Sequence, residues 1–296
     1  MTKQNAVEEK QPIILKDKQF RIGNQTAISS KTVWEPFEYA VSKGFDAFEW
    51  FPDKFHTYHI SSKIQGKAIG WKENDLVIED RKRIKNTATE KDIALSVHVP
   101  LSATVFTEEG KERLNISIAF AKDIGAKILN THLERSIGID LFIETAIPVW
   151  QKALDAGLSV AVENTPGDPP EAMNELFSLL EGKKFSGKER IGMCLDLGHA
   201  NLHPTSNDYW KFLDTLKSNV PIIHIHIHEN NGQNDEHLPV FTGPSRKDNS
   251  KGIKGALSRL IQRKYHGMMI MEQWPKPVSL LEDSRNKLLA CLQEMV

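Results

Sequence analysis

Residues Ile222-Ile-His-Ile-His-Ile-His-Glu229 run directly into Asn230-Asn-Gly-Gln-Asn-Asp-Glu-His-Leu-Pro239. In an extended strand successive side chains alternate between faces, so His224, His226 and His228 are expected on one side and Ile223, Ile225 and Ile227 on the other. A buried histidine is satisfied either by ordinary hydrogen bonds or by a metal, and one strand alone does not decide between them. The turn that follows adds Asp235 and His237, and imidazole with carboxylate is the ligand set that divalent transition metals favour. Whether such a site exists depends on what the rest of the chain brings to the same place.

Working outward, apolar strands alternate with amphipathic helices along the whole chain. Strands are expected at Phe20–Asn24, Ala47–Phe51, Ala94–Val99, Ile128–His132, Ser159–Glu163, Ile191–Asp196, Ile222–His228 and Met268–Glu272. Helical stretches Thr32–Lys43, Lys111–Ile124, Leu141–Ala156 and Glu171–Glu181 each end at a glycine: Gly44, Gly125, Gly157 and Gly182. Glycine enters the left-handed region without steric cost, which makes it the natural helix stop. Ser279 with Glu282 three residues on has the pattern of a capping box, while Pro36 and Pro148 blur two helix boundaries. Eight strand–helix repeats indicate a (β/α)8 TIM barrel, although an open doubly wound sheet would alternate in the same way. The two long connections, roughly residues 52–90 and 229–266, are expected to be lids or substrate loops.

The chain has 296 residues, 40% hydrophobic and 26% charged, with a formal net charge of -1. These values suit one soluble barrel domain over 19–296 and provide no basic footprint for nucleic acid. Residues 1–18 read as a flexible tail without the apolar core of a signal peptide, and no apolar run approaches the roughly 20 residues that span a bilayer. The two cysteines, Cys194 and Cys291, make no disulfide framework. A cytoplasmic enzyme is expected, with no membrane partner and with homo-oligomers common for this class.

The residues closing the strands carry the chemistry. Seven strand ends supply a carboxylate or imidazole: Glu49, His98, His132, Glu163, Asp196, the histidine strand and Glu272. Each has an ordinary reading: Glu163 or Asp196 can cap a turn or helix, Glu272 can reach solvent, His98 and His132 can be core histidines, and Glu49 can pair with a neighbouring cation. Only a barrel mouth brings them all together, which favours a shared site. His56, His59, His203 and His266 have no strand-end placement and read as loop or surface residues. Trp50, Trp71 and Trp274 are candidates for an apolar wall against a sugar or a subunit, though packing is the commoner use of such residues.

Taken in order, His98-x-Pro100, Asn130-x-His132, Glu163-Asn-Thr165, Cys194-x-Asp196-x-Gly-His-Ala200, the His226/His228/Asn230/Gly232 run, Asp235-x-His237-Leu-Pro239 and the terminal Glu272 resemble the xylose isomerase-like TIM-barrel superfamily. That superfamily joins sugar isomerases, ketose epimerases, inosose dehydratases and endonucleases of the endonuclease IV type. The resemblance covers roughly residues 20–295 and implies one divalent metal (Mn, Mg, Co or Zn) held by Glu163, Asp196, His226 and Glu272. His226 is preferred to its neighbours because the family's ligand histidine is followed three residues later by an acidic residue, here Glu229. The sugar-active branch implies a small carbohydrate substrate, proton exchange by Glu163 and Glu272, and His199 with His228 orienting hydroxyl groups, beside Trp50 and Trp274. The endonuclease branch implies up to three zinc ions on those ligands together with His98, His132, His199, Asp235 and His237, and a nucleic-acid substrate. Against that branch, His132-Leu-Glu-Arg135 stands where the endonucleases carry His-Pro-Gly.

Overall fold

A computed structural model of the protein describes residues 19–27, 29–56, 68–202, 208–246 and 252–295. The tail expected at 1–18, and His59 and His203, lie outside the described residues. Eight parallel strands close into a barrel: β1 (Phe20–Gln25), β2 (Ala47–Trp50), β5 (Ala94–His98), β6 (Ile128–His132), β7 (Ser159–Glu163), β8 (Ile191–Asp196), β9 (Ile222–Ile227) and β10 (Gly267–Met271). Each pairs with its sequence neighbour in the ring, and β1 closes it by pairing with β10 on one side and β2 on the other. Closure removes every edge strand, which excludes the open sheet. A short antiparallel hairpin, β3 (Lys54–His56) with β4 (Ala68–Gly70), stands outside the barrel.

The helices are α1 (Glu35–Ser42), α2 (Ile78–Glu90), α3 (Glu108–Ile124), α4 (Ile139–Asp155), α5 (Pro170–Gly182), α6 (Leu197–Asn201), α7 (Tyr209–Thr215), α8 (Ile253–Gln262) and α9 (Leu280–Met295). In α4, Phe142, Ile143, Ala146, Val149, Trp150, Ala153 and Leu154 are buried at helical spacing, and burying a side chain such as Phe142, Ile143, Val149 or Leu154 contributes roughly 1.5–3 kcal/mol. Pro148 lies inside α4 on its exposed side, where the carbonyl that loses its partner is open to solvent. Pro36 lies in the first turn of α1, where a missing N–H costs nothing. Gly44, Gly125 and Gly157 adopt positive φ just past their helices, but Gly182 is the last residue of α5 and the cap is an extended Lys183. Glu282 does not serve a capping box at Ser279: its Oε2 accepts from the Tyr39 hydroxyl at 2.9 Å and pairs with Lys43 at 3.2 Å.

Alternation along the strands sorts the core into two parts. Outward residues pack under the helices, with Phe37, Phe48, Trp50, Trp71 and Phe120 forming an aromatic layer beside β2. Inward residues near the strand starts, including Ala47, Ile128, Ala161, Cys194, Met268 and Ile270, fill the barrel with apolar groups. Ile223 departs from the expected alternation. The β8–β9 register slips between Met193 and Cys194, and Ile223 packs against the inner cluster rather than beside Ile225 and Ile227 under the helices. Beyond that bulge the alternation is regular, so His224 and His226 face inward above an apolar floor.

Candidate metal centre at the barrel mouth

Inward parity at the strand ends places Glu49, His98, His132, Glu163, Asp196, His226 and Glu272 around one mouth, and the loop after β9 folds Asp235 and His237 over it. His226 Nδ1 is the centre of this arrangement. It lies 3.3 Å from Glu163 Oε2, 3.2 Å from Glu272 Oε1 and 3.8 Å from Asp196 Oδ2. The atom is fully buried and has no hydrogen-bond partner. Donor atoms that each stand about 2.0–2.2 Å from one cation are roughly 2.8–3.6 Å from one another; the Glu163 and Glu272 distances fall in that range, and Asp196 at 3.8 Å lies just outside it. An unpaired imidazole nitrogen facing three carboxylates, with no lysine or arginine among the described residues of the group, fits a shared divalent ion chemically.

Two further groups flank this centre. His98 Nε2 lies 3.2 Å from Glu163 Oε2, and His98, His132 and Glu163 bring one donor each within 4.8 Å. On the other side His199 Nε2 and His237 Nε2 lie 3.2 and 2.9 Å from Asp235 Oδ2. His228 Nε2 is 3.2 Å from Asp196 Oδ1 and 3.7 Å from Asp235 Oδ1, and its ring stacks on His237 at 4.0 Å between centroids. Asp196 also caps α6 by accepting from the His199 amide at 2.7 Å. The capping role is thus observed, and the second oxygen, Oδ2, still faces His226 Nδ1.

Burial and charge pull the ionisable groups apart. Burial opposes ionisation of Glu163, but His226 and His98 outweigh it and hold the carboxyl well below the usual range. Burial wins at Glu272, whose pKa is raised despite His226. Burial, reinforced by the charge on His98, pushes His132 down to about 4. Burial disfavours charge on His199 and His237 as well, yet Asp196 and Asp235 push His199 up to about 10, and Asp235 and Glu272 push His237 up to about 9.

Three expectations need correction. Trp50 does not line the mouth: it is 0% exposed and points away from the barrel interior into the aromatic layer, with Trp71 edge-on at 5.6 Å. His228 has no exposed surface: it is 0% exposed, with Nε2 turned to Asp196 Oδ1 at 3.2 Å, and packed so tightly over Gly198 that a Cβ there would come within 1.9 Å of its ring. Glu49 pairs with imidazoles rather than a lysine or arginine: its Oε2 lies 2.8 Å from His224 Nε2, its Oε1 2.8 Å from His226 Nε2, and Ser96 Oγ donates to Oε2 at 2.8 Å. The parity of Phe48 and Trp50, two large apolar residues claiming the outer face, was the signal that Glu49 points inward. Trp274 is half-buried, edge-on to Tyr39 at 5.7 Å. Two asparagines were also missed: Asn130, which donates to Glu163 Oε2, and Asn164, which accepts from the Asp196 amide at 2.9 Å and donates to the Asp196 carbonyl at 3.0 Å. A separate cavity of about 700 Å³, lined by Arg21, Lys85, Lys122 and Lys127, opens at the opposite end of the barrel and contains none of these donors.

Comparison with known proteins agrees with this fold. The family model described as "Xylose isomerase-like TIM barrel" matches residues 37–293. The uncharacterized protein MJ1311 of Methanocaldococcus jannaschii is 31% identical over 112 residues, which span 36% of this chain and 35% of that protein. Among solved structures, a D-tagatose 3-epimerase-like protein superposes with a TM-score of 0.67 at 21% identity, covering 93% of this chain and 98% of the other. Endonuclease IV from Thermus thermophilus superposes with a TM-score of 0.60 at 19% identity, covering 93% and 99%. No helix among the described residues is long and apolar enough to cross a membrane.

Proposed function

Since the chain belongs to the xylose isomerase-like TIM-barrel family, we propose that it is a metal-dependent isomerase or epimerase, or a related lyase, acting on a sugar or similar polyol. The observation that carries this reading is the pair Glu163 and Glu272, which approach His226 Nδ1 from different strands at 3.3 and 3.2 Å. Two carboxylates on either side of a bound polyol carbon can remove a proton from one face and return one to another. A divalent cation on Glu163, Asp196, His226 and Glu272 would supply Lewis acidity, polarising a substrate carbonyl and its neighbouring hydroxyl. Asp196 is fixed for such a role by its bond to the His199 amide and by Asn164. His199, with Nδ1 on the Asn164 carbonyl at 2.8 Å, keeps Nε2 turned to the mouth, where a hydroxyl can meet it. The loop carrying Asp235 and His237 lies over one side of the mouth; Glu229 holds it by accepting from the amides of Phe241 and Ser245.

The test is solvent exchange at the substrate C–H. Glu272→Gln should reduce exchange of that proton by roughly 10²–10⁴-fold, the usual scale for losing a general acid–base group. Exchange at the parent rate would end the two-glutamate reading. A second reading, a zinc phosphodiesterase of the endonuclease IV kind, is favoured by one observation: His98–His132–Glu163 and His228–Asp235–His237 both gather donors within 4.8 Å. Metal analysis separates the two. One ion per chain supports the polyol enzyme, whereas three zinc ions per chain with nicking of abasic-site DNA establish the phosphodiesterase.

A further inference from the structure

The histidines of the mouth are not held alike. His98, His199 and His237 each place Nδ1 on a backbone carbonyl, of Val99 at 2.8 Å, Asn164 at 2.8 Å and Glu272 at 2.6 Å. A carbonyl only accepts, so Nδ1 carries the proton and the lone pair of the neutral ring is left on Nε2, which faces Glu163 or Asp235. His226 is turned the other way. Its Nδ1 faces Glu163, Glu272 and Asp196, and its Nε2 lies 2.8 Å from a carboxylate oxygen, Glu49 Oε1, an ion-pair contact whose angle falls outside hydrogen-bond geometry. Glu49 is itself held on its other oxygen, by His224 Nε2 and Ser96 Oγ, each at 2.8 Å. Glu49, His224, His226 and Ser96 are all 0% exposed. The two ring nitrogens meet different surroundings: Nε2 has the single Glu49 oxygen at 2.8 Å, while Nδ1 faces three mouth carboxylates at 3.2–3.8 Å.

We propose that Glu49 is a positioning residue that fixes His226 as the Nε2–H tautomer, so that the Nδ1 lone pair is presented to a divalent cation, with His224 and Ser96 locking the carboxylate in place. This rests on the metal reading above. It explains why the strand carries histidines at both 224 and 226: one is the ligand and the other is half of the clamp on its partner. Behind a metal-binding imidazole, such a carboxylate sets ring orientation and ligand basicity and is worth roughly 10–100-fold in metal affinity.

Glu49→Gln is nearly isosteric but breaks the arrangement in a defined way. The amide has one acceptor oxygen and one NH₂. Two donors, His224 and Ser96, already converge on the Oε2 side, so the carbonyl settles there and the NH₂ faces His226 Nε2. That nitrogen must then accept, and the His226 proton moves to Nδ1, where it blocks ligation. The experiment measures zinc or cobalt(II) affinity of the full chain by competition with a chromophoric chelator, and the His226 tautomer of the metal-free protein, at a pH where its ring is neutral, by long-range ¹H–¹⁵N NMR. The expected result is a loss of 10–100-fold or more in affinity together with a switch of His226 from Nε2–H to Nδ1–H, at an unchanged circular dichroism spectrum. Glu49→Asp keeps two acceptor oxygens, so it should retain the Nε2–H tautomer and lose less affinity. Parent-like affinity and tautomer in Glu49→Gln overturn the proposal, as do equal affinity losses in both variants without a tautomer switch. A parent protein that binds no divalent cation defeats the metal reading instead, and the tautomer measurement still decides what Glu49 does.

Discussion

Glu49 and Trp50 are neighbours in the chain and sit in opposite environments, one inside the barrel against two imidazoles and the other under the helices against Phe37 and Trp71. A one-residue difference in parity separates an inward carboxylate beside two histidines from a packing residue. Burial alone has the opposite consequence at Glu73, a buried carboxyl whose Oε1 accepts from Ser117 Oγ at 2.6 Å. Burial raises its pKa, against the lowering effects of Ser117, Arg113 and Arg81. A carboxyl whose folded pKa is raised contributes stability below its unfolded pKa and loses that contribution as pH rises through the folded value. Glu73→Gln keeps the acceptor for Ser117 without the buried charge. The variant should therefore match the parent near pH 4 and become the more stable of the two as pH rises to 7, as read by urea unfolding at each pH. A stability difference that shrinks with rising pH would contradict this account.

At the scale of elements, strands were more legible than connections. A run such as Ser159–Glu163 is short, apolar and closed by a polar residue, and its ends coincide with β7. Helix α2 lies inside a stretch that reads as a long loop, because Ile84 and Ala88 are its only buried residues and the surrounding Glu, Asp, Lys and Arg residues hide its helical period. The 229–266 connection likewise contains α8, between a mouth loop and β10. Helix α3 starts three residues earlier than its apolar period, at Glu108, because Thr107 caps it by accepting from the Gly110 amide at 3.0 Å. Thr107→Ala should cost about 1 kcal/mol in chemical denaturation, and Thr107→Ser should recover most of it. Equal losses in both would assign the effect to packing of the threonine methyl group.

For the whole molecule, the decisive property is closure: β1 pairs with both β10 and β2, so residues as far apart in sequence as Glu49 and Glu272 surround one mouth. A ligand that binds this assembled mouth and not the unfolded chain stabilises the fold, by about 2.7 kcal/mol at 100 times its Kd. Titration with the preferred divalent cation should therefore raise the thermal midpoint by roughly 5–10 °C, given about 2–4 °C per kcal/mol for chains near this size. Asp196→Asn, which keeps the cap on α6 but removes a charged donor, should greatly reduce that rise. An undiminished rise would place the ion elsewhere. The sequence by itself determined the eight strands, their closing residues and the family likeness, because period-two alternation and turn residues are local properties of the chain. It could not determine that Glu49 stands behind His226, that His228 is sealed over Gly198, or that Trp50 faces away from the mouth. Those depend on strand register, on the bulge beside Ile223 and on distances across the barrel, which exist only once the sheet has closed.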